Sequence, residues 1–302
     1  MTSARRHAPE AVGARLCHVR LTSKAPAQSG NFFSEQFGLS AVSSLHQSVF
    51  GFGDRAHSLA FSTEPGDRVG LELGSVEMLE LVAEQLAQAG LPANAMSDAA
   101  CASRFCKAGI ETCDASGNIV EFIIRPGHIG SPPSVDRCGG LTRLRSIALR
   151  STNIEKDCLI WTTLFGAVVA DRVGEILYLS LDDGHHRIVL YPSVERGALY
   201  VGVGVATFDQ LMQAYYALQT RQVEIVQGPG REVVSGHYFL RFRTPEGSIV
   251  SLVFGEDGAA KGAARQFLAH PSSLCSLGSI CAGVPELSFS ESTTSARRRA
   301  PS

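Results

Sequence analysis

The sequence contains no long hydrophobic run. Nowhere in its 302 residues do about 18 apolar residues follow one another, the length that crosses a bilayer as a helix. Arg5 and Arg6 near the N-terminus are not followed by an apolar segment either, so no secretory signal is predicted. We therefore expect a cytoplasmic protein without a membrane partner.

A strong net charge is also missing, because 27 Lys and Arg residues face 29 Asp and Glu residues, a formal net charge of −2. Nucleic-acid binding usually needs a basic excess, so we expect no nucleic-acid partner. The eight cysteines include no C-x-x-C pair, which predicts free thiols rather than a zinc site or disulfides. With 44% hydrophobic residues, the chain is long enough for two globular domains and remains compatible with a homo-oligomer.

What the sequence does contain is an internal repeat. Three blocks of the first half recur in the second half, in the same order. The matched pairs are residues 16–21 with 144–149, 57–61 with 186–190, and 114–122 with 244–252. Their offsets are 128, 129 and 130 residues (144 − 16, 186 − 57 and 244 − 114), so little is inserted between the blocks. This regularity predicts two equivalent domains.

The repeat and the composition between its blocks divide the chain. The linker is rich in proline and glycine, and the Ala, Ser and Gly-rich tail has no sustained periodicity beyond a short helix near residues 263–269. The predicted segments are a flexible N-terminus (1–13), an N-terminal domain (14–125), a linker (126–141), a C-terminal domain (142–256) and a mostly disordered tail (257–302).

Each half is predicted to be β-α-β-β-β twice over, an α+β fold. An apolar strand opens each half, and the helix that follows ends at Gly38 or Gly166. A second strand leads to a helix that begins at Ser75 or Thr207. A hairpin closes each half, with its turn at residues 115–118 or 245–248, where a glycine permits positive φ.

Two residues of the first half are candidate metal ligands. His18 lies on the predicted opening strand and Glu121 on the closing strand. Two histidines and one carboxylate suit non-heme Fe(II), and His57 or Glu72 could supply the third ligand. The alternative is structural: a buried histidine bonded to a backbone carbonyl and a carboxylate in an ion pair.

The repeated blocks resemble the vicinal-oxygen-chelate superfamily of glyoxalases, bleomycin resistance proteins and extradiol dioxygenases. They are most similar to two-domain type I extradiol dioxygenases, which cleave catechol-like rings beside the hydroxyl pair. The resemblance covers about residues 14–256 and rests on HSLAF, PGDRVGLEL, the helix at 76–89 and the D-x-x-G-N-x-x-E-F pattern at 114–122. It implies tandem domains whose four β-α-β-β-β modules form curled sheets around cavities.

In such dioxygenases two histidines and a glutamate of the C-terminal half hold Fe(II). At those positions the resemblance places Ser146, Tyr200 and Ser251, and it keeps only His186, at the acid/base position. Hydroxyl groups are poor Fe(II) ligands, so this half is expected to form a neutral, hydroxyl-lined cavity that binds substrate. Because His185 precedes His186 directly, their rings are expected on opposite faces of a strand.

The same mapping in the N-terminal half gives His18, Arg68 and Glu121, with His57 at the acid/base position. Arg68 is a cation where the family has a ligand. Its positive charge either repels a metal ion or forms an ion pair with Glu121.

Three hypotheses about function remain open. The leading one is an extradiol-dioxygenase-like enzyme that acts on a small aromatic molecule, with Fe(II) or another divalent metal on His18 and Glu121. The second is a metal-independent lyase, hydratase or isomerase that uses His186 as a proton shuttle and needs no cofactor. The third is a non-catalytic binder of small aromatic molecules.

Overall fold

The computed structural model describes residues 13–128, 140–255, 263–277 and 283–288. Predictions for most of the N-terminal segment and the linker lie outside these ranges. The first half forms two β-α-β-β-β modules with one additional short helix. Its elements are β1 (Arg15–Thr22), α1 (Pro26–Phe37), β2 (Val42–Ser43), β3 (Gln47–Phe50), β4 (Leu59–Ser62), β5 (Arg68–Leu73), α2 (Val76–Gln88), β6 (Asn94–Ala95), α3 (Asp98–Ser103), β7 (Ala108–Cys113) and β8 (Ile119–Ile124).

The second half repeats this order without the additional helix. Its elements are β9 (Leu141–Ser151), α4 (Ile154–Thr163), β10 (Val168–Val173), β11 (Ile176–Ser180), β12 (Ile188–Pro192), β13 (Gly197–Val205), α5 (Phe208–Thr220), β14 (Ile225–Arg231), β15 (Tyr238–Arg243) and β16 (Ile249–Phe254). The four predicted modules and the α+β class are therefore confirmed.

Each half forms one sheet in which the two modules meet at their first strands. The strand order is β2-β3-β4-β1-β5-β8-β7-β6 in the first sheet and β14-β15-β16-β13-β9-β12-β11-β10 in the second, where a further strand joins at β10. β1 pairs antiparallel with β5, and β9 pairs antiparallel with β13. Equivalent strands thus occupy equivalent places.

Most local signals in the sequence act as expected, but α4 ends at Thr163, three residues before the predicted Gly166. Gly38 has φ +66° and donates its N–H to carbonyls of the last turn of α1. Thr207 and Gln210 form a capping box at the start of α5. Gly117 and Gly247 have φ +83° and +92° in matching hairpin turns, so these two turns are equivalent.

Aromatic rings join the two halves through a shared core. Phe32 and Phe37 of α1 contact Phe242 of β15, with ring centroids 6.0 and 5.7 Å apart. Phe122 of β8 contacts Phe165, just beyond α4, at 5.4 Å. Each half therefore packs its first helix against the sheet of the other. Among the described residues, no helix is long and apolar enough to cross a membrane.

The tail differs from its prediction. Residues 265–267 form β17 (Arg265–Phe267), which pairs parallel with β10, instead of the expected helix. Residues 271–274 form α6 (Pro271–Leu274), and a 3-10 turn spans Pro285–Leu287. The expectation of disorder is thus wrong for these residues, because buried apolar side chains anchor them to the C-terminal domain. The other tail residues lie outside the described part.

We expect Leu274→Ala to lower the free energy of unfolding by about 2 kcal/mol or more, because the side chain is 7% exposed in the core of the C-terminal domain. Leu277→Ala is the matched control, since Leu277 is 50% exposed and should change stability by less than about 0.5 kcal/mol. Urea denaturation of both variants measures the difference. Equal stabilities would contradict the packing of the tail.

Candidate functional site

The strand register places His18 and Glu121 side by side. His18 on β1 lies opposite Gly70 on β5, and Gly70 lies opposite Glu121 on β8. The glycine is required here, because a Cβ atom at Gly70 would come within 2.0 Å of the His18 ring. The first half therefore brings its two predicted ligands together, as expected.

The second half contains the same arrangement with different side chains. Ser146 on β9 lies opposite Gly202 on β13, and Gly202 lies opposite Ser251 on β16. Tyr200 precedes Gly202 by two positions, just as Arg68 precedes Gly70. The register thus supports the mapping between the halves on which the expected site residues rest.

His18 and Glu121 form a buried hydrogen bond. The distance from His18 Nε2 to Glu121 Oε2 is 2.8 Å, and both side chains are fully buried. Oε1 of the carboxylate accepts from Arg104 Nη2 at 2.7 Å and lies 3.3 Å from Arg68 Nε. Burial alone would raise the pKa of Glu121, but His18 and Arg104 outweigh it and hold the pKa far below its usual value.

The arginines around Glu121 are neutralised within the same cluster. Glu64 lies 2.9 Å from Arg104, 3.0 Å from Arg68 and 3.5 Å from Arg20. Arg104 was not anticipated from the sequence. A network of three arginines and their carboxylates therefore surrounds the predicted metal ligands.

The expected third ligands do not complete a metal site. The His57 ring stacks on the His18 ring at 4.3 Å, and its Nδ1 lies 3.3 Å from the Arg104 carbonyl oxygen. Glu72 is bound by Arg55 at 2.6 Å. No cluster of three or more His, Cys, Asp or Glu side chains within the described ranges could hold a metal ion. Because guanidinium groups also repel a divalent cation, the residues around His18 and Glu121 do not fit one.

A cavity in the C-terminal domain brings together the four site residues expected there. It has about 350 Å³ of empty space, part of it open to solvent, and is a narrow cleft. The expectation of a neutral cavity is wrong, because charged groups line it. The lining residues are Arg145, Ser146, His186, Tyr200, Glu232, His237, Phe239, Arg241, Ser251 and Val253.

His186 is the end of a hydrogen-bonded chain of side chains. Asp171 Oδ2 lies 2.7 Å from His185 Nε2, and His185 Nδ1 lies 3.0 Å from His186 Nδ1. Both histidines lie in the bend before β12, not on a strand, so the expectation of opposite faces is wrong. Their rings touch, with centroids 5.3 Å apart, and His186 Nε2 lies 3.8 Å from Glu232 Oε2 in the cavity wall.

Burial, and then the neighbouring His185 and His237, lower the pKa of His186 well below its ordinary value. His186 is therefore neutral at pH 7, and one nitrogen of a neutral imidazole can accept a proton. Arg187 and Arg145 also lie close enough to disfavour its charged form, which the expected neutral cavity would not have done.

Arg241 lies between two aromatic rings of the cavity wall. Its guanidinium carbon is 4.2 Å from the ring centroids of both Tyr200 and Phe239, and its Nη1 donates to Gln227 Oε1. The sequence did contain a signal for this residue. Arg241 interrupts the apolar segment 239–242 and lies on the same strand face as Phe239. Arginines are rarely buried unless they are paired, so this position indicates a specific role for the charge.

Comparisons with known proteins agree with this fold. Residues 143–252 match the family model of the Glyoxalase/Bleomycin resistance protein/Dioxygenase superfamily. The predicted resemblance to this superfamily is therefore confirmed in the second half of the chain, and the predicted vicinal-oxygen-chelate fold is confirmed. No curated protein sequence is detectably similar to the chain.

Solved structures extend the likeness to both halves. A Mn(II)-bound glyoxalase from Novosphingobium aromaticivorans has a TM-score of 0.78 at 18% identity, covering 91% of this chain and 94% of that one. BphC, a halotolerant catechol dioxygenase, has a TM-score of 0.75 at 14% identity, covering 86% and 91%. A 2,2',3-trihydroxybiphenyl 1,2-dioxygenase from Sphingomonas wittichii has a TM-score of 0.74 at 16% identity, covering 84% and 96%. Identities this low show a common fold alone.

We expect the protein to lose stability as the pH falls from 7.5 to 5.5. Burial lowers the pKa of His18, His57 and His186, so below about pH 6.5 the unfolded chain binds protons that the folded one does not. Each histidine lowers the free energy of unfolding by up to about 1.4 kcal/mol per pH unit. Asp114, whose pKa burial raises to about 6, opposes this effect over part of the range.

Urea denaturation at several pH values measures this slope. His57→Gln should reduce the slope, whereas the exposed His46→Gln should leave it unchanged. A stability that is constant or rises on acidification would contradict the neutral state of the buried histidines.

Proposed function

We propose that this protein is a metal-independent enzyme in which His186 removes a proton from a small, aromatic substrate in the C-terminal cavity. Lyases, hydratases and isomerases share such a step. The observation that carries the proposal is the chain from Asp171 through His185 to His186. It ends on a ring nitrogen that faces the cavity.

The hydrogen bonds of this chain determine the tautomer of His186. The carboxylate of Asp171 accepts the Nε2–H of His185, which leaves a lone pair on His185 Nδ1. That lone pair accepts the Nδ1–H of His186. The lone pair of His186 is then on Nε2, at the cavity, where it can accept a proton.

The proposed reaction transfers a proton from a C–H or O–H bond of the substrate to His186 Nε2. The electron pair of that bond moves towards a substrate carbonyl, whose oxygen gains negative charge. In an isomerase His186 returns the proton to another atom of the substrate. In a lyase or hydratase the carbonyl re-forms, the leaving group departs with the electron pair of its bond, and His186 gives the proton to that group. No redox partner is needed, so atoms and electrons balance.

The donor sets favour this function over a ring-cleaving dioxygenase. Ser146, Tyr200 and Ser251 offer hydroxyl groups, which hold Fe(II) poorly. Burial raises the pKa of Tyr200, so its phenol remains protonated. In the N-terminal half, arginines form ion pairs with the Glu121 carboxylate. A pure binding protein, in turn, does not require a base whose tautomer is held by two further side chains.

We expect the protein to catalyse exchange of an acidic substrate proton with deuterium, and this exchange to survive EDTA. Phenylpyruvate and other aromatic ketones and 2-oxo acids, followed by proton NMR in D₂O, form the test panel. His186→Gln should slow the exchange about 100-fold or more, because it removes the base. The exposed His46→Gln is the control. Exchange that EDTA abolishes and His186→Gln leaves intact would refute the proposal.

We expect Asp171→Asn to slow the same exchange while the fold is retained. The new amide group donates to His185 Nε2, so His185 Nδ1 carries the proton and donates to His186, which is left with Nε2 protonated. Arg265→Gln is the control, since it removes the ion pair to Asp171 without reversing these bonds. Equal rates in the two variants would contradict the role of the tautomer.

A further inference from the structure

Arg241 carries a buried positive charge that forms no direct ion pair among the described residues, although Glu232 lies near enough to stabilise it. Its side chain is 5% exposed, and its contacts among the described residues are Gln227, Tyr200 and Phe239. No described carboxylate lies within salt-bridge distance of it. A guanidinium cannot lose its proton at physiological pH, so burying it without a counter-charge is costly.

In the N-terminal half, the buried arginines are paired with carboxylates. Arg104 and Arg68 lie within 3.3 Å of Glu121, and both also bind Glu64. There the carboxylates belong to the protein. In the C-terminal half, Ser251 stands where Glu121 stands in the first half, so the equivalent counter-charge is missing.

Two unpartnered polar atoms belong to neighbouring side chains of this cavity. Arg241 Nε and Ser251 Oγ are both buried without a hydrogen-bond partner in the described part of the chain. The two residues lie directly opposite each other on β15 and β16. Side chains of directly opposite residues share one face, with Cβ atoms about 5 Å apart, and both line the cavity.

We infer that the C-terminal cavity binds an aromatic molecule through one negatively charged oxygen group, a carboxylate or a phenolate. Arg241 Nε–H and Ser251 Oγ–H donate to that group, which supplies the missing counter-charge. This inference rests on the proposed function for the choice of cavity and adds the substrate class.

The carboxylate already in the cavity is compatible with an anion there. Glu232 is bonded to Ser235 at 2.5 Å and lies 3.8 Å from His186 Nε2. Its charge also stabilises Arg241, but from beyond salt-bridge distance. Because the cleft is narrow, the long side chains of its wall must move apart when a ring enters.

Calorimetric titration of the full-length protein with benzoate, acetate and their neutral analogues benzamide and acetamide tests the inference. We expect benzoate to bind at least tenfold more tightly than benzamide. Ser251→Ala should weaken benzoate binding about tenfold, the usual effect of losing a hydrogen bond to a charged group. Arg241→Met should abolish the preference for benzoate over benzamide. If the Arg241→Met variant does not fold, the Ser251→Ala variant still tests the inference.

Thr244→Val is the matched control, because Thr244 Oγ1 is also buried and unpartnered but does not line the cavity. It should leave binding unchanged. No binding of either anion, equal binding of benzoate and benzamide, or equal effects of the Ser251 and Thr244 variants would overturn the inference. Anion binding without deuterium exchange would refute the proposed function alone, and exchange without anion preference would refute this inference alone.

Discussion

The antiparallel pairing of the first strands of the two modules organises each half of this protein. Where β1 meets β5, the pairing aligns His18, Gly70 and Glu121 across three strands. The same pairing of β9 with β13 aligns Ser146 with Gly202. A side chain on the first strand can project over the middle strand because the residue there is glycine. The chemistry of each half therefore depends on which residues stand at these few registered positions.

The two halves use these positions in opposite ways. The first half fills its centre with a carboxylate and the arginines that bind it, and the charges balance within the protein. The second half has lost the carboxylate but buries Arg241 between aromatic rings. The charges of the first centre are thus joined in direct ion pairs, whereas Arg241 in the second has no direct ion pair among the described residues. A duplicated fold can in this way keep one copy as support and the other for binding.

The tail contacts the hydrogen-bonded chain that leads to His186. Arg265 of β17 binds Asp171, the carboxylate that begins the chain to His186, through two nitrogen atoms and its backbone N–H. β17 also extends the second sheet beside β10. The tail therefore holds Asp171 in place while it covers apolar side chains of the domain. Removal of this segment would change both the core and the surroundings of His186.

Local signals in the sequence determined most of the fold. Block spacing, helix caps and turn glycines such as Gly38 and Gly117 act over a few residues, so the repeated modules and the alignment of His18 with Ser146 could be predicted. Tertiary structure alone decided the electrostatics, because Arg104, Arg241 and Asp171 find their partners on other elements of the fold. It also decided the contact between His185 and His186, since a bend replaces the expected strand. Pattern and propensity are local, whereas buried charge is balanced by whatever the fold brings near.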